Sequence, residues 1–330
     1  MDWSAPASEF DPPSLLYTIR RAPIKTILLV FDYALDLLQP NSSPPATPIR
    51  LVCISDTHDL TAPIPDGDVL IHAGDLTNDG TTTQLQTQID WLDSHPHAHK
   101  IVIAGNHDTY LDPRTRPSLA PHHRSTPLDW KSLTYLQHAS TTLHFPSTNR
   151  HLHIHGAPQI PACGDPSVFA FQYPRGRDAW SHTLSADLDV LVTHTPPKHH
   201  LDLFPASLGC EHLLAELWRA RPRVHVFGHV HAGRSDWPGR WRNGRQVLRW
   251  DARQSALERA LRRPEGFVRA LLDPWAWLDV GRWVGAAVAA VLWDRVWGGD
   301  GSRRTTTLVH ASLMYNNTGQ LRNPPQVVDV

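Results

Sequence analysis

The stretch Ile49-Arg50-Leu51-Val52-Cys53-Ile54-Ser55-Asp56-Thr57-His58 is an apolar run ending in a polar tip, and four later stretches repeat the pattern. Val69–Ala73 leads to Gly74-Asp75, and Ile101–Ala104 to Gly105-Asn106-His107-Asp108. Val190–Thr193 leads to His194, and Val224–Phe227 to Gly228-His229-Val230-His231. Uninterrupted Val, Ile and Leu runs suit strands buried on both faces of a sheet. The intervening segments Thr82–Ser94 and Cys210–Arg221 read as helices. In open α/β sheets functional groups collect where strands end and loops begin, and all five tips sit at that end. The expectation is an α/β fold with its chemistry along one edge.

The residue types at the tips suit divalent metals, which take oxygen and nitrogen ligands and, as a pair, need a bridging carboxylate. Asp56 and His58 alternate at a strand end, where a sharp turn can aim both at one ion. Asp75 follows a glycine that permits close backbone approach, which makes it the candidate bridge. Asn106 offers a neutral amide oxygen, limiting negative charge at a site that must admit an anion. His229 and His231 share a side in extended backbone and can each serve a different ion, with His194 completing the second set. Two ions about 3.5–4 Å apart allow a bridging water to ionise and attack phosphorus in line. His107, with Asp108 adjacent, is suited to protonating the leaving oxygen. Each block alone has a bland reading as a turn or cap; five in this order do not.

These blocks resemble those of the calcineurin-like metallophosphoesterase superfamily, over about residues 49–250 and 305–315. The resemblance implies that Asp56, His58, Asp75 and His231 hold one metal, and that Asp75, Asn106, His194 and His229 hold the second. It also implies His107 as proton donor. Further segments resemble the metallophosphoesterase-domain-containing branch related to class III cyclic nucleotide phosphodiesterases: Phe171–Gly176, Asp189–Pro197, Gly209–Leu214 and Arg223–His231. The implied fold is a β-sandwich flanked by helices, an α/β chain of the four-layer α+β type, with the metals at one edge. Two positions depart from the pattern. Protein phosphatases of the superfamily follow the Gly-Asp block with Asp-Arg, whereas this chain has Asn78-Asp79, which argues against a phosphoprotein substrate. Thr195 stands where the nearer branch often has glycine.

The expected activity is that of a dinuclear metal-dependent phosphoesterase acting on a small phosphodiester or nucleotide, using manganese, iron or zinc, with magnesium also compatible. Arg175, in a Pro-Arg-Gly turn, is the candidate substrate contact; His122-His123 is a weaker one. Substrate choice is expected to rest on loops 109–135 and 157–180. The alternative is a membrane-peripheral or scaffolding protein with residual phosphatase activity. A net charge of −1 over 330 residues gives no reason to expect a nucleic-acid partner, and no basic and aromatic track runs through the blocks. The three cysteines, Cys53, Cys163 and Cys210, form no CxxC pair. The beginning MDWSAPASEFDPPS does not read as a secretory signal, so an intracellular, cytoplasmic location is expected.

Four segments are distinguished: an N-terminal extension with a proline-rich linker (1–45), the core (46–251), a tryptophan-rich helical insertion (252–301), and a final core strand and tail (302–330). Residues 1–23 read as a loose extension. Residues 24–38 form an apolar stripe of Ile24, Ile27, Leu28, Phe31, Leu35 and Leu38 at helical spacing. Residues 143–156 read as a hairpin turning at Ser147–Arg150, and 306–312 as a returning strand. Residues 274–297 would make a helix about 36 Å long, started at Asp273-Pro274 and ended at Gly298-Gly299. Asp279, Arg282 and Asp294 fall on one side of it with Trp275, Trp283, Trp293 and Trp297; Ala, Val and Leu take the other. Its longest charge-free run, Trp283–Trp293, is 11 residues, short of the roughly 20 needed to cross a bilayer. Packing with the 24–38 helix as a subdomain is expected first, and peripheral membrane contact through 24–38 and 274–297, aided by a basic stretch at 234–263, second. Oligomerisation is the third option.

Overall fold

A computed structural model describes residues 5–38, 47–236, 238, 242–297 and 305–330, without the side chains of 293–297. The expected proline-rich linker (mostly 39–46), the Gly298-Gly299 helix end, and the side chains of Trp293, Asp294 and Trp297 lie outside the described residues. In chain order the strands are β1 (Arg50–Ile54), β2 (Val69–Ala73), β3 (His99–Ile103), β4 (Leu133–Tyr135), β5 (Ala139–Phe145), β6 (Arg150–Ala157), β7 (Ile160–Pro161), β8 (Gln172–Tyr173), β9 (Val190–Thr193), β10 (Val224–Phe227), β11 (Arg245–Arg249), β12 (Thr305–His310) and β13 (Gln326–Asp329). The α-helices are α1 (Leu15–Arg21), α2 (Pro23–Leu38), α3 (Thr82–Asp93), α4 (Pro121–Ser125), α5 (Glu211–Ala220), α6 (His231–Ser235), α7 (Ala252–Leu261), α8 (Phe267–Leu272) and α9 (Pro274–Trp297).

Two large mixed sheets stack face to face. One has the order β13-β1-β2-β3-β4, the other β11-β12-β10-β9-β6-β5. Strands β1 to β4 run parallel, as do β6, β9, β10 and β12, with antiparallel strands at the margins. Alternation along each strand explains the continuous apolar runs. Leu51, Cys53, Ile71 and Ile101 point into the sandwich to meet Leu152, Val190, Val192 and Val226 of the other sheet. Val52, Ile54, Leu70 and Val102 point outward to Leu85, Ile89 and Leu92 of α3. On the far side Leu191 packs on Leu213 and Leu217 of α5. Both faces of each sheet are covered, so both side-chain registers must be apolar. This is the expected four-layer arrangement, and the 143–156 hairpin is β5–β6.

Three expectations change. The N-terminal extension contains a helix, α1, capped by the Ser14 side chain accepting from the Tyr17 amide. The stripe of α2 is only half used: Ile24 and Leu28 are buried and Leu35 partly so, while Ile27, Phe31 and Leu38 are exposed, and Leu29 beside the stripe is buried instead. The inner face is completed by the buried acid Asp32. Helix α9 is inverted. Asp279 and Trp283 of its charged side are buried and the Val and Leu side faces outward. Allowing for Asp279 and Arg282, Pro274–Leu292 is long and apolar enough, by length and composition, to cross a membrane. Helices α2, α7, α8 and α9 together share one apolar cluster, which includes Leu28, Leu257, Leu261 and Trp283.

Candidate metal centre

The parallel direction of β1, β2 and β3, and of β9 and β10, brings the five polar tips to one end of the sandwich. Ser55 and Ser312 form a bridge between the segments leaving β1 and β12, joining the two sheets beside that end. Donor atoms of Asp56, His58, Asp75 and His231 lie within 4.8 Å of one another, and so do those of Asp75, His194 and His229. Asp75 belongs to both groups. Asn106 joins the second through its Oδ1, 3.2 Å from His194 Nε2. All seven residues named as ligands from the sequence are therefore brought together.

Tight backbone geometry aims these side chains. Asp56, His58, Asp75 and His229 all have positive φ, between 45° and 66°, a region that residues with a Cβ seldom enter and that concentrates at functional sites. The turn after β1 is held by the Thr57 and His58 amides donating to the Asp75 carbonyl at 3.0 and 3.2 Å. Gly105 is required by space: a Cβ there would stand 2.2 Å from Asp75 Oδ1 and 2.7 Å from His194 Cε1. A Cβ on Gly228 would stand 2.2 Å from Asp56 Oδ2. The motif glycines thus let one strand tip close on the carboxylates of the next.

The ring tautomers follow from carbonyl acceptors behind the site. His194 Nδ1 donates to the Ala73 carbonyl at 2.8 Å, which turns Nε2 toward Asp75 Oδ2 at 3.2 Å. His231 Nδ1 donates to the Asn316 carbonyl at 3.0 Å, which turns Nε2 toward Asp56 Oδ1 at 3.3 Å. Such bonds to the second ring nitrogen fix orientation and raise ligand basicity. Asp56 and Asp75 are almost fully buried, and neither has a lysine or arginine partner among the described residues.

Burial opposes charge on both carboxylates, but the neighbouring imidazoles outweigh it and hold both well below the usual range. His194 is disfavoured by burial yet lifted to about 9 by Asp75 and Asp56; His231 is raised the same way by Asp56. Burial lowers His229 to about 3 and also lowers His58. Two carboxylates, four imidazoles and one amide oxygen without a competing cationic side chain fit borderline divalent ions. Binding them requires displacing the imidazolium protons.

His107 stands at the rim, half-buried. Its amide donates to Asp75 Oδ1 at 2.8 Å and its Nδ1 to the Asn78 carbonyl at 2.8 Å. Its ring lies edge-on to His58, 4.9 Å between centroids. Asp108 has a different place from the one expected. It is fully buried and accepts from the amides of Gly105, Leu76 and Thr77 and from the Thr77 hydroxyl. None of its bonds reaches the His107 ring, so it shapes the loop rather than meeting substrate. Arg175 donates to the carbonyls of Ala162 and Leu208 and bonds to no ligand residue. His123 bonds Thr82 of α3. Reading the sequence missed Asn78, Asn316 and Phe169, the last edge-on to His107 at 5.1 Å. The first two act through backbone carbonyls, which every residue type carries, so no side-chain signal marked them.

A family model described as calcineurin-like phosphoesterase matches residues 49–233. The chain belongs to this family. Among curated relatives of this calcineurin-like phosphoesterase, a probable rhamnogalacturonate lyase C of Emericella nidulans is 43% identical over 288 residues, covering 86% of this chain and 24% of the relative. Metallophosphoesterase domain-containing protein 1 of Homo sapiens is 36% identical over 208 residues, covering 56% of this chain and 61% of that protein. The chain thus spans less than two thirds of the length of either relative. A solved structure, TT1561 of Thermus thermophilus, aligns with 68% of the chain at 15% identity and a TM-score of 0.38.

Proposed function

We propose that this calcineurin-like phosphoesterase is a dinuclear metal-dependent hydrolase of a small phosphodiester or nucleotide. The observation that carries the proposal is Asp75, a buried carboxylate shared by two groups of donor atoms. Asp56, His58, Asp75 and His231 would hold one ion; Asp75, Asn106, His194 and His229 the other. When bound, two such ions supply charge neutralisation at phosphorus and an ionised water at neutral pH.

The chain's own residues complete the reaction. Asn78 fixes the His107 tautomer by accepting from Nδ1, leaving Nε2 to carry a proton to the departing oxygen. Phe169 limits the freedom of that ring from the loop side. Preference for a diester rests on charge. A monoester is close to a dianion at neutral pH and a diester a monoanion. The cationic gripping residue of the phosphoprotein phosphatases is replaced by Asp79, which accepts from the Gln84 side chain, and the neighbouring Asn78 side chain bonds Asp59 and the His58 carbonyl.

The test is turnover of bis- and mono-p-nitrophenyl phosphate by the full chain with manganese, iron, zinc or magnesium, beside Asp75→Asn. Diester hydrolysis lost by at least about a thousandfold in the variant supports the reading, because it removes a ligand of both ions. No turnover with any of the four metals, or turnover retained in Asp75→Asn, overturns it.

A further inference from the structure

Helix α9 presents its apolar side outward. At 100° per residue, the positions from Val284 round to Ala289 span an arc of about 140° that holds no charged residue between Pro274 and Asp294 and a single arginine, Arg295, in the last turn. In it Leu278, Val284, Val288 and Leu292 are 41%, 46%, 53% and 57% exposed. A surface helix of a globular domain does the opposite, turning its apolar stripe inward. The inversion is imposed by Asp279, which is fully buried and paired with Arg263 Nε at 2.7 Å and Arg282 Nη1 at 3.0 Å. Exposed apolar side chains continue onto α8 at Phe267, Val268 and Leu272, and Trp275 and Trp277 stand exposed where α9 begins. An apolar surface of this extent marks an interaction site.

Charge selects the occupant. Every described carboxylate of these helices is occupied internally. Asp32 and Asp36 pair with Arg242 and Arg253; Glu258 bonds His200, Gln254 and Trp218. Glu265 pairs with Arg21, Asp279 lies in the cluster above, and Asp273 caps α9 through the Trp275 amide. By contrast Arg20, Arg262 and Arg269 are exposed and have no carboxylate partner among the described residues. Acids engaged within the protein, bases at the surface, and tryptophans beside an apolar face match the requirements of a helix lying in the headgroup zone of an anionic bilayer. Asp279 also meets Arg259 of α7 at 4.0 Å, and Ala276, Val280 and Trp283 of α9 share an apolar cluster with Leu257 and Leu261 of α7, so the helix lies on the bilayer rather than crossing it.

We propose that α8 and α9 form a peripheral membrane-docking surface for anionic lipid. The test uses the full chain in co-sedimentation with vesicles of phosphatidylcholine alone and of phosphatidylcholine with phosphatidylserine. The expected result is pelleting with the phosphatidylserine vesicles, weakened by salt, and partitioning reduced at least about tenfold in V284E/V288E. In R262E/R269E the phosphatidylserine preference is expected to vanish. Diester turnover and melting temperature should match wild type in all variants, because these side chains are exposed and far in the chain from the metal centre. Protein left in the supernatant with both vesicles overturns the proposal, as does binding unaffected by V284E/V288E. So does a dimer in sedimentation velocity that V284E/V288E splits while vesicles bind nothing; that result assigns the face to a second copy of the chain.

Discussion

At the scale of single residues, His107 and Gly105 separate chemistry from construction. His107→Ala removes the group placed to protonate the leaving oxygen but no ligand. Turnover should fall about 10²- to 10⁴-fold on substrates with poor leaving groups and much less on p-nitrophenyl esters, while metal content per chain, read by mass spectrometry, stays at the wild-type value. Equal losses on both substrate types would assign His107 a different role. Gly105→Ala should do the reverse. Its Cβ would press on Asp75 and His194, so metal content itself should drop, with destabilisation of about 1–3 kcal/mol for overpacking seen in denaturant melts. The ligands could be read from sequence because carboxylate, amide and imidazole are scarce at the ends of apolar runs. Asn78 and Asn316 could not, since their contribution is a carbonyl oxygen placed by the tertiary fold.

At the scale of elements, the helical layer is held as much by ions as by apolar contact. Arg253, 3% exposed at its side chain, meets Asp36 at 2.7 Å and Asp32 at 3.5 Å, and Arg242 closes the other side of both acids. These bonds fix α2 against α7. Arg253→Ala leaves two buried carboxylates short of a partner, so the layer should lose about 3–5 kcal/mol. Hydrogen exchange should show lost protection in α2 and α7 with β1–β3 unchanged, and diester turnover should persist. Global unfolding of the sandwich in this variant would show that the layer is integral to the core. Periodicity located α2 and α9 in the sequence, and each proved a helix. It did not say which side faces inward, because Asp32 and Asp279 become tolerable inside only when arginines from other segments meet them.

At the scale of the whole molecule, the metal centre ties the two sheets together, with Asp56, Asp75 and Asn106 on one and His194, His229 and His231 on the other. Ions bound there should stabilise the native sandwich by linkage, about 2.7 kcal/mol at a hundredfold excess over Kd. Stripping with a chelator should therefore lower the calorimetric Tm by several degrees, reversibly on adding manganese. Asp75→Asn should show no response to either treatment. A wild-type Tm indifferent to chelator would mean the centre forms without metal and draws nothing from it.

The sequence by itself determined the layered α/β class, because strands covered on both sides must be apolar at every position. It also named seven candidate donors, which the fold brings to one end of the sandwich, because a metal centre draws on few side-chain types at strand tips. Only the tertiary structure decided that the Asn78 and Asn316 carbonyls orient His107 and His231, that Asp108 braces a loop, and that α9 turns its apolar side to the exterior. Each of those depends on which distant segments a residue meets, and periodicity along one chain carries no information about its partners.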